Sequence, residues 1–244
     1  MSAIKILQFI NIFLHAFYKS VGKLKIGLSW KTPINMKSPS AKAFLLFSAL
    51  LTTALLSFKP KEASSYKVDI DRSVVSWIGY YVFSFSEHNG TISLSGGEIM
   101  ADDQQIISGY FNIDMKTIKD LDMSREDGAK DLENHLMSDD FFSVNDFPEA
   151  RFEITKTEKI KDAVPGGPNY EVTGDLTLKG VKNGLTFPAI INFNDTGIEA
   201  KAKFKFDRTR WNVRYNSGKF FFDIGDGAIS DAIGLEIHLV TSKK

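Results

Sequence analysis

Residues 170–178 read YEVTGDLTL. Tyr170, Val172, Leu176 and Leu178 alternate with Glu171, Thr173, Asp175 and Thr177, the period of two that marks a strand with one buried and one solvated face. Pro165-Gly166-Gly167-Pro168 precedes the stretch and Lys179-Gly180-Val181-Lys182-Asn183-Gly184 follows it; both read as turns. The second turn leads into an apolar run over 185–193, and Asp195-Thr196-Gly197 leads into 198–206, where Ala200, Ala202, Phe204 and Phe206 alternate. Three short strands joined by tight turns are the start of an antiparallel sheet.

The same pattern extends outward. Tyr66, Val68 and Ile70 alternate before an Asp71-Arg72-Ser73 turn, and 74–85 is a long run containing Trp77, Tyr80, Tyr81, Phe83 and Phe85. A strand over 90–94 runs to Gly96-Gly97, which reads as a bend or bulge. Ile107, Phe111, Ile113 and Met115 share one face of the next strand, 150–155 is a short strand, and Leu235, Ile237 and Leu239 form one side of the last, over 234–241. About eight short strands at regular spacing predict an all-β barrel or sandwich. Residues 124–137 (SREDGAKDLENHLM) break the alternation. Ser124 reads as a cap, and Ala129, Leu132 and Leu136 fall at helical spacing, which predicts one short helix weakened by Gly128.

Composition narrows the function. The 43% apolar content suffices for a core, and the 20 Phe favour strands. The formal charge of zero conceals an asymmetry: nine of the 30 basic residues but one of the 30 acidic residues lie in 1–65, so 66–244 carries about −8. An acidic body argues against binding of nucleic acid. With no Cys, disulfides, thiolate metal sites and a Cys nucleophile are excluded. Residues 43–58 (AFLLFSALLTTALLSF) are uncharged and apolar, with Lys37 and Lys42 before them. This layout predicts a secretory signal, and the run is short for a membrane-spanning helix. Residues 1–65 are therefore assigned as a signal or targeting segment, with cleavage near Ala63-Ser64-Ser65 or Thr52-Thr53-Ala54. The sequence MKSPSAK at Met36 reads as a natural translation start. An uncleaved anchor is the alternative. Membrane contact is expected through this segment alone, and the location is expected to be periplasmic or secreted.

Two internal stretches carry a resemblance. The run Glu133-Asn134-His135-Leu136-Met137-Ser138-Asp139-Asp140-Phe141-Phe142, followed by Phe147-Pro148 and Arg151-Phe152, is similar to the signature of the YceI-like lipid-binding family. So is Val172-Thr173-Gly174-Asp175-Leu176-Thr177-Leu178-Lys179-Gly180-Val181. The opening Tyr66-x-Val-Asp-x-x-Arg-Ser73 and the closing Phe206-Asp207-Arg208-x-x-Trp211 match more loosely, and the resemblance covers 66–244 in order. It implies an exported, lipocalin-like, eight-stranded antiparallel barrel with a helix alongside and a polyisoprenoid or similar amphiphilic lipid in the lumen. Gly90-Thr91-Ile92 departs from the family's Gly-x-Phe.

The candidate lumen wall follows from the inward faces: Val75, Trp77, Phe111, Ile113, Phe152, Leu176, Leu178, Phe187 and Phe204, with Ile237 or its neighbours. A register slip of one residue would turn the whole set outward. His135 either meets a ligand head group or fixes the helix to the barrel. Phe141, Phe142 and 220–222 either line the lumen or pack in the core. Arg208, Arg210 and Arg214 either meet an anionic head group or form a solvated hairpin. His88 and His238 stand apart in sequence and read as solvent-exposed, which with His135 makes only a weak metal signal, so no metal is expected, and Asp139-Asp140 reads as a cap or loop. No nucleophile elbow, phosphate loop or zincin motif is present, so neither an enzyme nor a cofactor is expected beyond a bound isoprenoid or fatty lipid. The other reading is a ligand-free barrel serving as an interaction or stress-response module. The sequence is compatible with a homodimer.

Overall fold

The alternating stretches become nine strand segments that pair antiparallel throughout: β1 (Ser64–Val68), β2 (Val74–Tyr81), β3 (Glu87–Asp102), β4 (Gln105–Asp120), β5 (Glu149–Lys159), β6 (Tyr170–Leu178), β7 (Val181–Phe193), β8 (Ile198–Asp207) and β9 (Ile229–Lys243). One helix, α1 (Ala129–Met137), lies between β4 and β5. The structure is a computed structural model that describes residues 63–102, 104–222 and 225–244. The predicted signal and anchor readings for 1–62 lie outside these residues. Ser64 and Ser65, considered above as part of a cleavage site, pair with Ala101 and Met100 in β1.

Nine segments make an eight-stranded closed barrel because β1 and β2 share one position, between β3 and β9. The break at 69–73 is held by side chains that replace ladder bonds. Ser73 Oγ donates to the Asp69 carbonyl (2.6 Å) and accepts from Val240 N (3.0 Å), while Asp69 N donates to the Val240 carbonyl (2.9 Å). From β2 onward each strand pairs with the next in sequence, and β9 returns to β2. Closure removes the free sheet edges.

Several element bounds differ from the sequence reading, and Ile107 leaves the inward face, because a register shift at Met100/Ala101 buries Ile106 and turns Ile107 to solvent. The run 74–85 stops at Tyr81, since Tyr81 N bonds Ser86 O and Val82 N bonds Ala228 O, which turns Val82, Phe83 and Phe85 outward. β3 and β4 are 16 residues each, longer than expected, because bulges at 91–93 and 94–96 bend the pair without ending it. The helix begins at Ala129 and not Ser124. Gly128 sits at φ 102°, a left-handed conformation that interrupts a helical path, and Ser124 Oγ instead closes a turn with Asp127.

Register decides which residues face inward. Along β6 every even position from Tyr170 to Leu178 is buried, and the odd positions are exposed or intermediate. Gly174 is one of the inward positions, and a Cβ there would collide with the Phe152 ring and the Glu153 carbonyl. A glycine at this point is what lets the Phe152 ring lie across β6.

Candidate ligand cavity

The inward faces of β2 to β9 do not meet in the middle. They enclose a cavity of about 540 Å³, within the range of small-molecule sites. One end is closed by packed residues around Ile99, Ile106 and Ile198, and Tyr170 Oη donates there to the Gln104 carbonyl (2.5 Å). The other end carries α1, the 139–147 loop and the segments 212–222 and 225–228. There the lining includes exposed Gly227 and half-buried Tyr80, Tyr81, His88 and Asn216, so the cavity reaches solvent.

Aromatic rings form its wall. Phe111 of β4 lies parallel to Phe152 of β5, with ring centres 6.3 Å apart; Phe152 lies 5.6 Å from Phe187 of β7, and Phe187 stacks at 4.2 Å on Phe204 of β8. Val75 and Trp77 of β2, Ile113 of β4 and Leu176 and Leu178 of β6 line the same space. Phe204, Leu235 and Ile237 point inward, pack against the core and are still only half-buried, because each also borders the cavity.

α1 covers the helix-bearing end. Leu132, His135 and Leu136 fall on one helical face and line the cavity. Glu133 Oε1 accepts from Asp120 N (3.2 Å), and Phe142 N donates to the Leu136 carbonyl (3.1 Å). Lys179 Nζ ties the following loop down by donating to the carbonyls of Asp139 (3.0 Å) and Phe141 (2.6 Å). Burial holds the Lys179 ammonium below the usual lysine range, with Asp139 and Asp140 opposing that shift. Asp139 and Asp140 themselves are exposed on this loop.

The His135 ring packs edge-on against Tyr215 (4.5 Å) and Phe141 (5.7 Å). Its Nε2 is buried and has no hydrogen-bond partner among the described residues. Nε2 therefore makes no hydrogen bond there that would fix the helix to the barrel, and it is a polar atom in a largely apolar wall.

Arg208, Arg210 and Arg214 do not converge. Arg208 is fully buried and lines the cavity, but its guanidinium is engaged by backbone: Nε donates to Ser230 O (3.0 Å), Nη1 to Val213 O (2.9 Å), and Nη2 to Tyr215 O (2.8 Å) and Ile229 O (3.2 Å). Burial lowers its pKa, and Asp231 and Asp207 oppose that. Arg210 donates to Gly184 O on the outside, and Arg214 donates to Asn212 Oδ1 and lies over Phe220. The three are thus one buried arginine held by backbone carbonyls at the cavity wall and two surface arginines. Phe220, Phe221 and Phe222 neither line the lumen nor pack in the core; the turn at Ser217 leaves them exposed. His88 and His238 are not isolated either: His88 Nδ1 lies 3.0 Å from Asp122, and His238 Nε2 lies 2.8 Å from Glu199.

All twelve expected lumen residues (Val75, Trp77, Phe111, Ile113, His135, Phe141, Phe142, Phe152, Leu176, Leu178, Phe187 and Phe204) lie at the cavity wall. Sequence reading missed Tyr80, Tyr81 and Tyr215. Tyr215 lies in an irregular loop, where no periodicity could reveal its side.

A family model for the YceI-like domain matches residues 66–241. A UPF0312 protein of Pseudomonas putida (strain W619) is 32% identical over 198 residues, covering 79% of this chain and 94% of its own length. A UPF0312 protein of Photorhabdus laumondii is 35% identical over 140 residues, covering 57% of this chain and 65% of its own. Among solved structures, Burkholderia cenocepacia BcnA superposes with a TM-score of 0.53 at 23% identity, over 70% of this chain and 98% of that one. A polyisoprenoid binding domain from Saccharophagus degradans also gives 0.53, at 10% identity, over 74% and 99%. These two likenesses establish a shared fold.

Proposed function

The chain belongs to the YceI-like family, and from that premise we propose that it is an exported carrier of a long-chain isoprenoid or related amphiphilic lipid. The observation that carries this reading is the cavity itself: about 540 Å³ walled by Phe, Leu, Ile, Val and Ala from all eight barrel positions, closed at one end and open at the other. Each methylene transferred from water to such a wall is worth about 0.8 kcal/mol, so a long chain binds with few polar contacts. The solved polyisoprenoid binding domain from Saccharophagus degradans shares the fold and agrees with a chain-like ligand. Polar groups lie toward the helix-bearing end, where His135 Nε2 lacks a partner. The tail therefore occupies the closed end and the polar head sits near α1. Export rests on the apolar run at 43–58 behind Lys37 and Lys42.

Organic extraction of the purified full chain, followed by mass spectrometry, tests the reading. The expected result is a long-chain apolar lipid near one equivalent per chain. Extracts that stay empty from every expression condition, together with no uptake of added prenyl lipid, would overturn it.

A further inference from the structure

The rim of the cavity holds a second arrangement that lipid binding does not use. His88 lies near the start of β3. Asp120 is the last residue of β4, at the inward position opposite Gly90, and Asp122 is two residues further on. His88 is more than 30 positions from the two Asp residues along the chain, and the β3–β4 pairing brings it to them. One ligating atom from each falls within 4.8 Å of the others.

The two carboxylates are held in the same manner. Met123 N donates to Asp120 Oδ1 (2.9 Å), and Asn89 N donates to Asp122 Oδ1 (2.7 Å). Each carboxylate is thereby fixed through one oxygen and left with Oδ2. Asp122 Oδ2 meets His88 Nδ1 at 3.0 Å. Asp120 Oδ2 is buried with no hydrogen-bond partner among the described residues, and Asp120 is only 4% exposed. A buried carboxylate oxygen without a donor is costly, and a second carboxylate beside it adds repulsion. Something positive belongs between them. Backbone bonds that orient carboxylate ligands are the usual outer support of a metal site.

We propose that His88, Asp120 and Asp122 bind a divalent transition-metal ion at the cavity rim. One imidazole and two carboxylates favour Zn²⁺, Mn²⁺ or Fe²⁺ over Mg²⁺ or Ca²⁺, which take oxygen ligands. Bonds of about 2.0–2.2 Å to such an ion draw the three atoms together by small side-chain rotations. Three protein ligands leave at least one coordination position open. His88 also lines the cavity, so the ion sits beside the entrance.

The competing account is a proton shared between the two carboxyls. Zn²⁺ alone decides between them, by calorimetric titration of the chelator-washed, tag-free full chain, and the result does not depend on whether a lipid is bound. The expected result is one saturable site per chain. Affinity should fall about tenfold or more in D120N, which keeps the shape of the side chain, and in H88Q, whose ring is a quarter exposed, with both variants checked for native circular dichroism. H238A, at the other His–carboxylate pair, should bind as the parent does. Three results would overturn the proposal: no saturable binding at 100-fold excess of Zn²⁺, equal affinity in the parent, D120N and H88Q, or loss of binding in H238A alone.

Discussion

Replacing Arg208 with Met separates a structural from a ligand-facing role for this residue. The guanidinium satisfies four backbone carbonyls, those of Val213, Tyr215, Ile229 and Ser230, at 2.8–3.2 Å, with its side chain fully buried. Methionine fills much of the same space but offers no donor. At about 1 kcal/mol for each carbonyl left without a partner, the loss is about 4 kcal/mol, in line with the roughly 3–5 kcal/mol that follows removal of one member of a buried charged network. For a domain of this size, each kcal/mol shifts Tm by about 2–4 °C, so R208M should melt roughly 8–16 °C below the parent. R208K keeps the charge but only one donor centre, and should fall between them. Thermal and urea unfolding give the stability, and lipid content of the protein that remains folded is measured beside it. The reasoning predicts a large stability loss with ligand retained in the folded fraction. An R208M chain with unchanged Tm and no lipid would refute it, because the guanidinium would then be facing the ligand and not the carbonyls.

Four further outcomes follow from the same geometry. Ala202 points inward opposite Ala189 and Ile237, so A202W should fill part of the cavity and lower co-purified lipid several-fold with Tm nearly unchanged; equal lipid content would place the ligand elsewhere. G174V should cost about 1–3 kcal/mol as an overpacking strain, read as a lower urea midpoint, since any Cβ at that position meets the Phe152 ring. H135L removes a buried nitrogen that lacks a partner and should leave stability equal or higher, while weakening a lipid with a polar head relative to its headless hydrocarbon in a competition assay. Burial opposes ionisation of Asp207, but bonds from Lys219 Nζ (2.7 Å) and from Thr209 outweigh it and hold the carboxyl below the usual range. The stability it contributes is therefore full above the ordinary carboxylate pKa of about 3.9 and is lost as pH falls through the folded-state value. In denaturation at pH 7 and below pH 3, the gap between the parent and D207N should be full at the first and narrower at the second.

What the sequence reveals depends on how local the determining physics is. Strand faces are local: alternation in YEVTGDLTL sets the inward side, and neighbouring strands inherit it through tight turns, so the wall residues could be read from one chain. Strand ends are less local. Nothing in the aromatic run 74–85 announces that it stops at Tyr81; the stop depends on Ala228, which accepts from Val82 N across the barrel end. Helix onset was misread because Ser124 offers a good cap by type, and only the left-handed backbone at Gly128 decides where the helix starts. The arginines illustrate the hardest class. Arg208, Arg210 and Arg214 are close in sequence, but in a short 3₁₀ turn over Arg208–Trp211 the first points inward and Arg210 outward, while Arg214, beyond the turn, lies over Phe220. In the cluster of His88, Asp120 and Asp122 the two Asp are neighbours, but His88 reaches them only through the β3–β4 pairing, which no spacing in the sequence announces.

Whether an eight-stranded barrel is filled or hollow is decided by the sizes of its inward side chains. Here the large rings are concentrated on β4, β5, β7 and β8, where Phe111, Phe152, Phe187 and Phe204 form one side of the wall. Between and beside them the inward positions are small: Ala150 on β5, Gly174 on β6, Ala189 on β7, and Ala200 and Ala202 on β8. Larger aliphatics at those five positions would extend the close packing found at the closed end, around Ile99, Ile106 and Ile198. The rings do not fill the space themselves because they lie against one another along the wall, as the 4.2 Å stack of Phe187 on Phe204 shows. High Phe content alone is thus a poor indicator of a lumen. The informative pattern is Phe rings packed along the wall with Ala or Gly at other inward positions of the same and neighbouring strands, and the same pattern predicts that restoring bulk at Ala202 empties the site while bulk at Gly174 damages the wall.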